Sequence, residues 1–172
     1  QITPRILKCR NLILFQVENE FMTLPHLQGA VWKIVTAIRS VDPTLLFKTG
    51  DCVDLMLGPV PSRKGEGDLR LLMTIVAGKP VAMVYRKTVP GTAEKDRVPF
   101  SSPWRTIPFD KVVQCDEVKL ATGQAPGGYF LEAQIPWSVL GTKPAPGLKL
   151  RGDFGVLFAD KGGTATVSRQ YW

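Results

Sequence analysis

The fold turns on "GDLRLLMTIVAGKPVAMVYR", residues 67–86. Leu69, Leu71, Met73 and Ile75 recur at every second position, with Arg70, Leu72 and Thr74 between them. Period two is the spacing of a β-strand with one apolar face and one mixed face. A second apolar run, 81–86, follows Ala77-Gly78-Lys79-Pro80. The segment therefore predicts two strands, 68–76 and 81–86, joined by a hairpin turn over those four residues.

The same pattern extends in both directions. Further strands are predicted at 12–17, 52–57, 110–113, 117–121, 128–135, 153–159 and 166–171, separated by most of the 14 prolines and 16 glycines. In 52–57, Val53, Leu55 and Leu57 share one face, leaving Cys52, Asp54 and Met56 on the other. In 128–135, Tyr129, Leu131, Ala133 and Ile135 face inward, with Phe130, Glu132 and Gln134 outward. In 153–159, Phe154, Val156 and Phe158 lie together. Many short strands with turn signals predict an all-β, antiparallel β-sandwich of jelly-roll or immunoglobulin-like type. The mixed faces of such sheets are commonly solvated.

Two short helices are compatible with this class. Val31, Ile34, Val35 and Ile38 form an apolar stripe within 28–41, closed by Asp42-Pro43, and 136–141 reads as one turn between Pro136 and Gly141. The 172 residues are expected to form one domain without repeats or linkers, with 18–44 an atypical segment. The chain begins with Gln1, which is compatible with a fragment or a processed product, and incompleteness at either end is left open.

Composition removes several function classes. The net charge of +7 comes from scattered basic residues, without the clustered Arg/Lys and stacking aromatics of a nucleic-acid surface. No apolar run reaches the 18 residues of a membrane helix. Three separated cysteines (Cys9, Cys52, Cys115) contain no CxxC pair, so zinc is unsupported. Buried free thiols are the simpler reading, one disulfide the alternative. The single histidine, His26, has no Ser or Cys signature around it, and Gly78-Lys79-Pro80 fails as a phosphate loop.

Arg151-Gly152-Asp153 and Asp153-Phe154-Gly155 spell an adhesion tripeptide and a kinase tripeptide. Both read as coincidences at the start of a strand. Asp51, Asp54, Asp68 and Glu132 are candidate carboxylates for glycoside hydrolysis, but their spacing does not pair them. Turn aspartates Asp51, Asp68 and Asp160 leave calcium open as a ligand, with no EF-hand loop and no other metal set defined.

Six phrases in order carry a resemblance: residues 46–57 (LFKTGDCVDLML), 67–86, 100–104 (FSSPW), 129–141 (YFLEAQIPWSVLG), 150–160 (LRGDFGVLFAD) and 168–172 (SRQYW). Together they resemble the family 9 carbohydrate-binding modules and the wider DOMON-like β-sandwich group, particularly a bacterial branch of it. The resemblance covers roughly residues 45–172 and the strand 12–17.

It implies a non-catalytic module that holds a sugar between aromatic rings while an acid and an arginine hydrogen-bond its hydroxyls. Carried over by position, the acid is Asp54, the arginine Arg70 and the first aromatic Phe47, where the family expects tryptophan; a second clamp tryptophan is expected beyond residue 172. Trp104, on a loop, is a further candidate for ligand contact, or else a core plug. Trp137 is expected to pack beneath the sheets.

The resemblance further implies a carbohydrate partner, an extracellular or periplasmic setting, and attachment to other domains of a larger protein. Two alternatives stay open. One is a haem-binding redox domain using Met56, Met73 or Met83 with lysine or histidine; the other is an accessory domain without a ligand.

Overall fold

In the computed structural model, which describes residues 5–9, 12–17, 42–60, 65–125, 128–160 and 162–171, the chain is all-β. His26 and the stripe at 28–41 lie outside the described residues. The strands are β1 (Arg5–Cys9), β2 (Leu12–Val17), β3 (Cys52–Pro59), β4 (Leu69–Val76), β5 (Lys79–Arg86), β6 (Val98–Ser101), β7 (Thr106–Phe109), β8 (Lys111–Gln114), β9 (Lys119–Ala125), β10 (Gly128–Pro136), β11 (Leu150–Ala159) and β12 (Thr166–Tyr171). One helical turn, α1 (Trp137–Leu140), follows β10. Strand pairing is antiparallel within a four-stranded sheet, β1-β2-β10-β9, a six-stranded sheet, β12-β11-β3-β4-β5-β8, and the hairpin β6-β7.

The β4–β5 hairpin forms as its alternation predicts, but with a tighter turn. Ala77 and Gly78 alone make it, at φ of 49° and 77°. Two positive-φ residues give a turn whose twist matches the strands it joins. Lys79 and Pro80 already pair with Val76 and Ile75. Pro80 is tolerated because β8 pairs only with Met83 to Arg86, leaving this end of β5 at a sheet edge.

The inward face of the six-stranded sheet supplies Val53, Leu55, Leu71, Met73, Ala82, Val84 and Phe154 to an apolar core. Leu131, Ala133 and Ile135 of β10 enter the same core from the other sheet. Full burial of such a side chain stabilises by about 1.5–3 kcal/mol. Trp137 packs half-buried against this cluster. Gly141 ends α1 at φ 71°, the left-handed conformation expected after that turn.

The opposite face of the six-stranded sheet is not solvated. Cys52, Leu72, Met83, Tyr85 and Leu157 join Leu46 in a second buried cluster. The covering pieces are the 3₁₀ turn Pro43–Leu45 with the residues after it, and the β6–β7 hairpin. Asp42 caps the 3₁₀ turn through the Thr44 amide, and Tyr85 Oη donates to the Thr44 carbonyl at 2.9 Å. Phe47, Tyr85, Phe100 and Phe109 meet edge-to-face or tilted, with centroids 5.3–6.1 Å apart.

The β6–β7 hairpin was not foreseen. Pro99 and Pro108 argue against strands in that stretch, but they stand opposite each other, confining both missing N–H donors to one rung. β1 was likewise missed, its short run being flanked by basic residues.

Candidate ligand-binding site

Strand pairing assembles the site on the outer face of the six-stranded sheet. One cross-strand row runs Tyr171–Gly155–Asp54–Leu72–Met83, and the next runs Asp153–Met56–Arg70–Tyr85–Val112. Directly paired residues share a face, and side chains in adjacent rows reach each other diagonally. Asp54 and Arg70 are such diagonal neighbours.

Asp54 is 0% exposed. Arg70 grips it through Nε to Oδ1 at 3.0 Å and Nη2 to Oδ2 at 2.7 Å. Tyr171 Oη donates to the same Oδ2 at 2.8 Å. A fork-on-fork pair of this kind is strong and fixes orientation. The guanidinium also rests on the Phe47 ring, 5.2 Å from its centroid. Burial opposes the Arg70 charge, but the hydrogen bonds and charge of Asp54 outweigh it and raise its pKa. Burial, with Asp54 alongside, pushes the Tyr171 hydroxyl up to about 12. Arg169 Nη2 and Thr166 Oγ1 both donate to the Phe47 carbonyl, tying β12 to the covering turn.

Beside this cluster the cover stops and an open trough of about 470 Å³ begins. Met56 and Gly58 form its floor, Arg151 and Asp153 line it from β11, and Asp68 and Arg70 line it from the β4 side. Gly58 carries no side chain, and the Asp68–Arg151 ion pair crosses the space one would fill. Tyr85, wholly buried, sits at the base. Phe109 is half-buried at the rim, with Lys87 Nζ 5.6 Å from its ring centroid and donating to the Pro108 carbonyl at 2.7 Å.

The structure brings Phe47, Asp54 and Arg70 together. Arg70 lines the trough, whereas Asp54 is turned away into its pair and Phe47 is sandwiched under Arg70. Trp104 is elsewhere: it stands 90% exposed on the β6–β7 turn and plugs no core. Phe109, Lys87, Arg151 and Asp153, which the sequence does not single out as site residues, also line the trough. Arg151-Gly152-Asp153 forms part of β11, which starts at Leu150, rather than a loop tip.

The remaining candidates disperse. Asp51 is buried and accepts the Ala159 amide, Asp68 pairs with Arg151, and Asp160 accepts from the Thr164 amide and hydroxyl. Glu132 lies on the other sheet. Among the described residues no three His, Cys, Asp or Glu side chains gather as a metal site. Cys52 and Cys115 are free thiols. Met73 and Met83 are buried in different clusters on opposite faces of one sheet, while Met56 floors the trough. No described helix is long and apolar enough to cross a membrane.

Comparison of the chain with protein-family models, with curated proteins and with solved structures found no match in any of the three.

Proposed function

We propose that this chain is a non-catalytic carbohydrate-binding module that receives a sugar in the trough over β3. The observation that carries this reading is the state of Arg70. Its Nε and Nη2 are locked by a wholly buried carboxylate, its face rests on Phe47, and Nη1 has no hydrogen-bond partner among the described residues. A donor held rigid beforehand loses little entropy when a ligand arrives. Sugar hydroxyls accept from a guanidinium, and the CH face of a pyranose packs on an aromatic ring such as Phe109 at the rim.

The resemblance to family 9 carbohydrate-binding modules agrees with this use of Arg70. An open trough beside a preorganised arginine speaks against a purely structural accessory domain. Calorimetric titration with neutral mono- and oligosaccharides tests the reading. Dissociation constants of about mM to μM are expected, or roughly −4 to −8 kcal/mol. Arg70→Ala should abolish the heat, and a protein that gives no heat with any sugar is not such a module.

A further inference from the structure

Each wall of the trough carries one acid and one base, Arg151 and Asp153 on β11 and Asp68 and Arg70 on the β4 side, and Asp68 is already paired with Arg151. Asp153 pairs with Met56 across β11 and β3, and Met56 pairs with Arg70 across β3 and β4. Asp153 and Arg70 therefore stand in one row, on one face, with the Met56 side chain between them. Neighbouring strands lie about 4.8 Å apart, so the two backbones are separated by roughly 10 Å. Both residues line the trough.

Their hydrogen-bonding states are complementary. Asp153 Oδ1 accepts the Phe154 amide at 2.9 Å, and Oδ2 has no partner among the described residues. Arg70 keeps Nη1 to donate. One wall thus offers a carboxylate oxygen and the other a guanidinium N–H. Asp54 shares none of this access, being wholly buried with its carboxylate given to Arg70 and Tyr171.

We infer that Asp153 is the acidic residue that touches the ligand, while Asp54 acts only through Arg70. The inference rests on the carbohydrate reading and sharpens it. The ligand must donate hydroxyls to Asp153 while accepting from Arg70 across the ring. A neutral polyhydroxylated ring satisfies both walls.

The test uses the full chain with ¹³C-methyl-labelled methionine, because Met56 floors the trough while Met73 and Met83 are buried elsewhere. D-glucose, D-xylose, D-galactose and cellobiose are titrated in turn. A neutral sugar is expected to shift the Met56 methyl and leave Met73 and Met83 in place. Asp153→Asn keeps an oxygen for the Phe154 amide, so the strand stays intact, and it should weaken that sugar at least tenfold. Glu132→Gln, on the other sheet, should bind as the wild type does.

If Met56 responds equally in Asp153→Asn, the inference fails while the carbohydrate reading stands. If no sugar moves Met56, the carbohydrate reading fails and takes this inference with it.

Discussion

Gly155 and Tyr171 face each other across β11 and β12, and the Tyr171 ring occupies the space a side chain on residue 155 would fill. A Cβ built at Gly155 would come within 2.6 Å of Tyr171 Cε1 and 2.7 Å of the Gln170 carbonyl oxygen. The missing side chain lets the ring lie across β11 and place its hydroxyl on Asp54 in the neighbouring strand. Glycine here is a requirement of packing, not of backbone angle.

Gly155→Ala should therefore cost more than a surface substitution. Overpacking of this kind costs about 1–3 kcal/mol, and displacing Tyr171 removes a hydrogen bond to a buried charge, about 1.5–3 kcal/mol. Urea unfolding of Gly155→Ala, Tyr171→Ala and the double variant measures the coupling. The double variant should be less damaged than the sum of the singles; strict additivity would show that the two do not interact.

The Asp54–Arg70 pair predicts an asymmetry between breaking and replacing. Arg70→Ala leaves a carboxylate with no exposure beside Tyr171 alone, and stability should fall by about 3–5 kcal/mol. Replacing both members with apolar residues of similar bulk, Asp54→Leu with Arg70→Met, should restore most of that loss. Binding should not return. Chemical denaturation of the three proteins decides; equal loss in the single and double variants would rule this out.

Asp51 gives stability a pH dependence of unusual sign. Burial pushes its carboxyl up from 3.8 to about 6, only partly opposed by the amide donated from Ala159. The folded chain then holds this proton more tightly than the unfolded chain does. Its contribution is fully present below about pH 4 and lost as pH rises through about 6, by roughly 2–3 kcal/mol. Asp51→Asn keeps an acceptor for the amide and removes the titration. The wild-type-minus-variant difference in unfolding free energy should slope between pH 4 and 6; a flat difference would mean that Asp51 titrates normally.

Gly141 is held by both angle and space. It adopts φ 71°, and a Cβ would sit 3.0 Å from Arg86 Nη2, which itself donates to the Val139 carbonyl at 2.6 Å. Gly141→Ala should destabilise by at least the ~1–2 kcal/mol of a left-handed residue with a side chain. Adding Arg86→Ala should relieve the crowding but not the strain. Thermal melts separate the two parts.

Alternation made much of this legible. It told which side chains of residues 52–57, 68–76 and 153–159 share a face, and so put Asp54 and Arg70 on non-core faces. It could not say which strands lie side by side. Asp54 meets Tyr171 only because Gly155 pairs with both, across chain segments with no local link. Prolines hid the β6–β7 hairpin, and without that hairpin the mixed face looked solvated. A signal for the trough was present: Arg151 and Asp153, two residues apart and opposite in charge, alternate with the apolar face of β11.

The seam between β3 and β11 pairs Cys52 with Leu157, roughly a hundred positions apart, and a loop of that length is slow to close. The β3–β4–β5 meander needs no such closure, so Asp54 and Arg70 are able to find each other early, and Tyr171 arrives with the last strand. Its hydroxyl then acts as a latch rather than a nucleus. In stopped-flow experiments Tyr171→Phe should leave the folding rate nearly unchanged and speed unfolding, whereas Arg70→Met should slow folding itself. That outcome would place control of the finished sheet's lifetime at its C-terminal edge.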